Sequence, residues 1–145
     1  MPVLAGHEAR ERFAAARVAR LATVRPDGGP HVVPVVFALV DVGGGDTVVS
    51  AVDHKPKRTT ALQRLVDVTA EPRVSLLVDA YAEDWDQLWW VRADGAARVL
   101  DPADPEAQPG VDALVARYPQ YTDRRPNGPV LAVAVTRWTG WTAAG

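Results

Sequence analysis

The sequence predicts a mainly β protein of the α+β class, in which about six antiparallel strands close into a barrel and a few short helices accompany them. Two observations predict this class. Apolar runs of strand length alternate with turns rich in glycine and proline along most of the chain. Consecutive strands joined by hairpins pair antiparallel, and about six such strands usually close into a barrel because closure removes the exposed edges.

The first third of the chain is predicted to hold a helix and three strands. Apolar residues spaced among charges and alanines predict an opening helix that runs to about Arg17. Three strands follow, over residues 18–24, 31–40 and 47–52. The glycines of residues 26–29 and 43–45 supply the positive φ angles that hairpin turns require. Pro34 removes a ladder donor from the second strand, so we expect a bulge or a sheet edge there.

The rest of the chain is predicted to hold two helices and two or three strands. Leucine and valine at helical spacing predict a helix over residues 59–68, with Thr59 or Thr60 as its N-cap. Residues 88–100 are predicted to form either a hairpin or one strand bent around Asp94. The remaining predicted elements are a strand over residues 73–81, a helix near residues 110–118 and a long strand within residues 128–145.

Composition and charge describe an ordinary globular domain. Hydrophobic residues make up 48% of the chain and charged residues 23%, a balance that argues against disorder. No internal repeat or long linker is visible, so residues 1–145 are predicted to form one domain. The sequence pI of about 5.9 argues against nucleic-acid binding. Because no stretch resembles a signal peptide or a membrane span, we expect a cytoplasmic protein with no membrane attachment.

Few residues suggest catalysis or metal binding. The chain has no cysteine, and its histidines His7, His31 and His54 lack the spacing of a zinc site, so no metal is predicted. Neither of the two serines lies in a nucleophile elbow. The acidic stretch at residues 83–86 is interpreted as a solvated loop. No catalytic side chain is therefore assigned.

Three cations, Lys55, Lys57 and Arg58, form what we call the basic cluster, in a protein with a formal net charge of −2. The cluster is either a solvated turn or an anion site. A strand end precedes it, Pro56 stiffens it, and a helix start follows whose free N–H groups favour an anion. Arginine can bind phosphate through two parallel hydrogen bonds, while lysine acts as a point charge. The glycines of a P-loop are absent, so the site would hold a phosphate without transferring it.

Four stretches together resemble the pyridoxamine 5′-phosphate oxidase-like proteins of the FMN-binding split-barrel superfamily. They are RVARLATVRPDGGPHVVPVVFAL, VVSAVDHKPKR, DWDQLWWVRADGAARV and TRWTGW. Their order and spacing cover nearly the whole chain, and within the superfamily they are most similar to the actinobacterial branch that uses the deazaflavin coenzyme F420. The resemblance implies a six-stranded Greek-key split barrel and a homodimer with two cofactor sites at the subunit interface.

The resemblance also implies which residues contact the cofactor. The basic cluster would hold the cofactor phosphate. The ring system would lie against the second and third strands, largely through backbone groups, at Pro34, Val35, Val36, Ser50, Ala51 and Val52. Trp90 and Trp138 are expected to complete the pocket from the partner chain.

The implied function is that of an F420-dependent oxidoreductase, which transfers a hydride between the reduced deazaflavin and a small unsaturated or aromatic substrate. Three cations suit the phosphodiester and glutamate tail of F420, and an FMN-binding oxidoreductase of the same fold is the alternative. Two alternatives without catalysis are a flavin carrier and a dimer whose basic cluster contacts an acidic partner protein. The C-terminal substrate-binding segment of the pyridoxamine phosphate oxidases is not found in this sequence, so pyridoxal phosphate synthesis is not expected.

Overall fold

The structure is a computed structural model that describes residues 3–52 and 59–144, without the side chains of residues 59–62. The elements in chain order are α1 (Gly6–Ala15), β1 (Ala19–Val24), β2 (Pro30–Val35), β3 (Ala38–Val42), β4 (Gly45–Ala51), α2 (Thr59–Ala70), β5 (Arg73–Ala80), β6 (Trp89–Leu100), α3 (Gln108–Arg117) and β7 (Val130–Thr142). All strand pairs are antiparallel, in the order β2-β1-β5-β6-β7-β4-β3. The predicted class, a mainly β antiparallel sheet with a few helices, is confirmed.

The two edges of the sheet, β2 and β3, follow one another directly in the chain. Only Val36 and Phe37 separate them, so the two edges meet at this link. In the part of the chain that the structure describes, no ladder of backbone hydrogen bonds joins the two strands. The sheet therefore forms a barrel that stays open along one seam, which we call the split.

The barrel has seven strands rather than the six predicted, because the strand expected over residues 31–40 is two strands. β2 pairs with β1, whereas β3 pairs with β4 at the other end of the sheet. The chain has to cross from one edge to the other, and at the crossing the N–H of Phe37 donates to the hydroxyl of Tyr118 instead of to a strand. Pro34 lies in β2 at a sheet edge, as predicted, where a missing donor costs least.

The long strand β6 is bent by a bulge between Asp94 and Gly95, where its pairing with β7 shifts by one residue. Of the two alternatives predicted here, the bent strand is confirmed. A Cβ atom at Gly95 would overlap the backbone of Ala134, so the bulge requires glycine. Positive φ angles occur in the two predicted glycine turns, at Gly28, Gly43 and Gly44.

Two hydrophobic clusters form the core. The larger one lies between α1 and the barrel, and its largest fully buried side chains are Phe13, Phe37, Leu21 and Leu76. The smaller one lies beneath α3 and includes Val111, Leu114, Tyr118 and Val130. The ring of Phe13 lies 4.8 Å from that of Phe37 and 5.2 Å from that of Trp138, so α1 packs on the link between β2 and β3.

The end of α3 closes one end of the split. The Tyr118 hydroxyl accepts from the N–H of Phe37 at 3.1 Å and donates to the carbonyl of Phe37 at 2.7 Å or that of Arg17 at 3.0 Å. The guanidinium of Arg117 donates to the carbonyls of Phe37 and Ala16. Burial lowers the pKa of Arg117 below its ordinary value, and these carbonyl bonds compensate the buried charge. Two side chains thus satisfy backbone groups that no strand pairs.

The carboxylate of Asp46 ties α1 and β7 to the start of β4. It accepts hydrogen bonds from Arg10 Nε at 2.8 Å and from Trp138 Nε1 at 3.0 Å. Burial alone would raise the pKa of Asp46, but the hydrogen bonds from Arg10 and Trp138 outweigh burial and hold that pKa below its ordinary value of 3.8. The ionised form of Asp46 therefore stabilises the folded chain.

Replacing Asp46 by asparagine should lower the free energy of unfolding near pH 7 by about 1 kcal/mol, because two hydrogen bonds to a charged acceptor are weakened. The pKa of Asp46 is lower in the folded than in the unfolded chain, so its contribution is present above about pH 4 and is lost as the pH falls through the folded-state pKa. Urea denaturation near pH 7 and near pH 3 measures the free energy of unfolding of both proteins. The difference in this free energy between parent and variant should be smaller near pH 3. Asp86→Asn, at an exposed position, is the control. A difference that is the same at both pH values would contradict the assignment.

Candidate functional site

The six residues predicted to contact a ring through their backbone lie at the two rims of the split. They are Pro34, Val35, Val36, Ser50, Ala51 and Val52. The first three form the end of β2 and the link after it, and the last three form the end of β4 and the residue after it. The pairing of β3 with β4 stops at Ala38 and Val49. The last residues of β4 therefore have no strand partner on the side of the split.

Ala51 directs its peptide groups toward the split. The N–H of Val52 donates to the carbonyl of Pro129 at 3.0 Å, on the β7 side. Because the peptide groups of successive residues in a strand point to opposite sides, the N–H and C=O of Ala51 point away from β7. Ala51 belongs to the smaller hydrophobic cluster and Val36 packs against it, so both rims border that cluster. The seam thus offers a backbone donor and acceptor beside small and apolar side chains.

The basic cluster, Lys55, Lys57 and Arg58, lies outside the described residues. The elements on either side of it are described: β4 ends at Ala51 and α2 begins at Thr59. The cluster therefore belongs to the segment that leads from a rim of the split to the start of α2. Its role as an anion site stays a prediction.

Trp90 lies on the outside of the barrel, in a groove of about 430 Å³. It is directly opposite Trp141 on β7, and the guanidinium of Arg92 lies 5.7 Å from the centre of its ring. The groove, which we call the tryptophan groove, is further lined by Leu77, Asp79, Tyr81, Leu88 and Trp89. Its flat aromatic walls can stack on a planar ligand.

Trp138, the other tryptophan predicted to reach a partner's pocket, points into its own barrel. Its indole packs edge-on against Phe13, and its Nε1 donates to Asp46 at 3.0 Å. Trp138 and Trp141 are three residues apart on β7, and side chains at odd spacing lie on opposite faces of a strand. The position of Trp138 gives it a role in the core, and its contribution to a cofactor pocket remains a prediction.

The outward side chains of β2, β1, β5 and β6 form a surface that we call the outer face. It exposes large apolar side chains, with Val32 59% and Leu77 38% accessible. The tryptophan groove lies at one end of this face. A second groove, of about 470 Å³, lies at the other end, where Ser75 Oγ donates to Asp94 at 2.6 Å. A contiguous face with exposed apolar residues and two grooves is typical of an interaction surface.

A buried carboxylate, Asp67, was not singled out from the sequence. It has no exposed surface and accepts hydrogen bonds from Thr23 Oγ1 and Gln63 Nε2, both at 2.7 Å. Nδ1 of His31 lies 3.7 Å from the same carboxylate. The sequence does carry a signal of a buried carboxylate. Asp67 lies within the apolar run LVDV of α2, four residues after Gln63, where the two side chains can meet on one helix face.

No group of three or more histidine, aspartate or glutamate side chains that could hold a metal ion is found within residues 3–52 and 59–144. Over the same ranges, no helix has both the length and the apolar composition needed to cross a bilayer. The rims of the split and the two grooves of the outer face are places in the described part of the chain where a ligand can be bound.

Comparison with protein families identifies one match. The family model described as pyridoxamine 5′-phosphate oxidase matches residues 5–142, which is nearly the whole chain. A search among curated proteins finds no match. The family match covers both rims of the split, the basic cluster and the outer face.

Solved structures with the same fold have low sequence identity to the chain. The conserved hypothetical protein Rv2991 from Mycobacterium tuberculosis superposes with a TM-score of 0.73 at 22% identity, covering 98% of this chain and 87% of that one. A FAD-binding protein from Mesorhizobium loti superposes with a TM-score of 0.68 at 23% identity, covering 95% of this chain and 94% of that one. The heme storage protein HutZ from Vibrio cholerae superposes with a TM-score of 0.66 at 15% identity, covering 96% of this chain and 95% of that one. These similarities establish a shared fold.

Proposed function

The chain belongs to the pyridoxamine 5′-phosphate oxidase family, and from that premise we propose that it is an oxidoreductase that binds the deazaflavin coenzyme F420 at the split. FMN is the alternative cofactor. The observation that supports the proposal best is that backbone groups at the rims face one seam, while the β4 rim leads directly into the basic cluster. The FAD-binding protein of the same fold adds support for a flavin-type ligand.

The residues at the rims fit the polar edge of a flavin-type ring. The N–H and C=O of Ala51 are directed at the seam, and the side chains of Ser50 and Ala51 are small enough for a ring to approach the backbone. Lys55, Lys57 and Arg58 would hold the phosphate beyond the ring. Three cations suit a phosphodiester that continues into carboxylates better than a single terminal phosphate, which favours F420 over FMN.

When bound, such a cofactor supplies hydride transfer. The chain's part would be to bind and orient it: the rims would hold its polar edge, the basic cluster would hold its tail, and apolar side chains around Val36 would exclude water. That chemistry would suit a small unsaturated or aromatic substrate with a conjugated double bond, for which water would supply the proton. This reduction would need no side-chain acid or base.

Titration of the apo-protein with F420, FMN and hemin tests this proposal. We expect submicromolar binding of F420, followed by cofactor fluorescence, with weaker binding of FMN. The reverse order would move the assignment to the FMN alternative, and binding of hemin alone would overturn it. Oxidation of reduced F420 in the presence of a panel of enones, quinones and nitroaromatics then separates an enzyme from a carrier. Tight binding without turnover of any compound would identify the carrier.

We further propose that the protein is a homodimer formed through the outer face. This arrangement would bury the exposed apolar side chains of that face, including Val32 and Leu77. It would also bring the tryptophan groove of one subunit to the split of the other, where Trp90 could cover the cofactor ring. Two complete sites would then form only in the dimer.

Leu77→Arg should convert the dimer into a monomer and weaken cofactor binding, because the interface would have to bury an unpaired charge. Light scattering after size-exclusion chromatography measures the mass, and the titration above measures binding. Val99→Arg is the matched control, because Val99 has the same 38% exposure but lies at odd spacing from Trp90 and Arg92 on β6, and so on the opposite face of the strand. If the Leu77→Arg protein remains dimeric, the outer face is not the dimer interface.

A further inference from the structure

Aromatic rings form much of the wall of the tryptophan groove. Half of the described residues that line it are aromatic, namely Tyr81, Trp89, Trp90 and Trp141. Trp90 and Trp141 are directly opposite one another in the ladder between β6 and β7, and both are half-buried, so packing holds their rings in place. The volume of about 430 Å³ lies within the range of small-molecule pockets. The groove therefore has the size and the flat walls that suit a small planar ligand.

The charged side chains of the groove leave it with an excess of negative charge. Among the described residues that line it, Arg92 is the only cation and Asp79 the only acid. Nε of Arg92 lies 3.2 Å from Oδ1 of Asp94, so the charge of Arg92 is already paired. Asp79 makes no hydrogen bond or ion pair with any other described residue. It lies directly opposite Trp90 in the ladder between β5 and β6, and such neighbours share one face of a sheet.

The loop between β5 and β6 adds more acids at the same end of the barrel. Both ends of this loop line the groove, at Tyr81 and Leu88. Between them the sequence places Glu83, Asp84 and Asp86, all exposed, and no basic residue. Charges interact over about 10 Å at about 0.1 M salt, so a loop that begins and ends at the groove makes the potential there more negative.

We propose that the tryptophan groove is a binding site for a planar aromatic cation. The face of a tryptophan or tyrosine ring attracts a cation, and a flat cation can also stack on it. The structure already contains one such contact, since the guanidinium of Arg92 lies 5.7 Å from the centre of the Trp90 ring. The charge of the ligand would pair with Asp79. An aromatic anion would be repelled by Asp79 and would find only Arg92 as a partner, which is already paired with Asp94.

The groove is formed by one subunit, so this site needs neither the cofactor nor the dimer. In the dimer proposed above, the groove would face the split of the partner, and the ligand would lie between Trp90 and the cofactor ring. An interface that filled the groove with side chains of the second copy would leave no room for a ligand. Binding of a probe to the intact protein therefore separates a ligand site from a covered surface.

Three probes of similar shape separate the contribution of charge from that of stacking. They are 1-methylquinolinium, which is a cation, quinoline, which is neutral near pH 7, and 1-naphthoate, which is an anion. Isothermal titration calorimetry of the full-length apo-protein measures their affinities. We expect 1-methylquinolinium to bind about tenfold more tightly than quinoline, and 1-naphthoate to bind most weakly.

Two variants test the residues of the groove. Asp79→Asn should weaken binding of 1-methylquinolinium about fivefold and that of quinoline less than about twofold, because it removes one exposed charge. Trp90→Leu should weaken binding of both probes about tenfold, because both stack on the ring. The matched controls are Asp41→Asn, at an exposed position on β3, and Trp85→Leu, at a 71% exposed position that does not line the groove. Each control should change the affinities less than about twofold.

Equal affinities for 1-methylquinolinium and quinoline, or tighter binding of 1-naphthoate, would overturn the proposal. It is also overturned if no probe binds, or if both groove variants bind the cation as tightly as the parent does. Asp79 is exposed, so Asp79→Asn keeps the test decisive even where Trp90→Leu does not fold. No cofactor is present in these titrations. A protein that binds the cation but neither F420 nor FMN would refute the proposed function and leave this site in place.

Discussion

Replacing Lys57 and Arg58 together by alanine should lower the affinity for F420 by about 100-fold or more. Each residue is expected to make charge-assisted hydrogen bonds to the cofactor phosphate, and each such bond contributes about 1.5–3 kcal/mol. Arginine can make two parallel bonds to one phosphate, so lysine at position 58 should restore only part of the binding. Fluorescence titration of apo-protein at constant ionic strength measures the effect.

A cofactor with several negative charges is attracted to any positive surface. A control variant has to separate this general attraction from binding at a specific site. The double variant Arg25→Ala and Arg124→Ala removes the same charge from exposed positions elsewhere, and it should change the affinity less than about twofold at moderate salt. If the Lys57/Arg58 variant and the parent bind F420 with equal affinity, the basic cluster does not bind the phosphate. The solvated-turn interpretation would then be correct.

Tyr118→Phe should lower the free energy of unfolding by about 2–3 kcal/mol. The hydroxyl is the hydrogen-bond acceptor for the N–H of Phe37, a residue with no exposed surface, at the link between β2 and β3. Without it that N–H remains buried and unpaired, and the carbonyls of Phe37 and Arg17 lose a donor. Because the ring itself is kept, the decrease in the free energy of unfolding comes from the lost hydrogen bonds rather than from lost packing. Urea denaturation, with an unchanged m-value as the sign of an unchanged fold, measures it.

The same variant tests whether this link matters for the split. Val36 precedes Phe37 and lies on the rim, so loosening the link should also weaken cofactor binding. Tyr81→Phe is the control for the change in stability, since Tyr81 is 79% exposed and its hydroxyl makes no hydrogen bond with any described residue. A Tyr118→Phe protein as stable as the parent would show that water satisfies the Phe37 N–H, and that the link is more open than the structure indicates.

Much of the fold could be predicted because its signals are local. Turn glycines at positions 28, 43 and 44 need positive φ, and they are readable from the residue type alone. The helices and most strands follow from apolar spacing. The error over residues 31–40 has a long-range cause: the run has uninterrupted strand composition, but the sheet pairs its first half with β1 and its second half with β4. No periodicity within ten residues carries information on which partner each half will find.

The site divides in the same way. The basic cluster and the rim residues were identified from their order in the chain and from a family resemblance, and the family itself is confirmed. The two tryptophans could not be assigned to a surface from the sequence, because a residue's face depends on the register of its strand. In the structure Trp90 faces outward beside Trp141, whereas Trp138 faces Phe13 in the core.

Local signals in the sequence were enough to predict the antiparallel mainly β class, the positions of the turns, and the placement of three cations between a strand and a helix. Those features depend on residues close together in the chain. The closure of the split by the end of α3 through Tyr118, and the attachment of α2 to β1 through Asp67, could be seen only in the folded chain. These contacts join residues that are 44 to 101 positions apart. Their partners are chosen by how the sheet closes on itself, which is a property of the whole barrel.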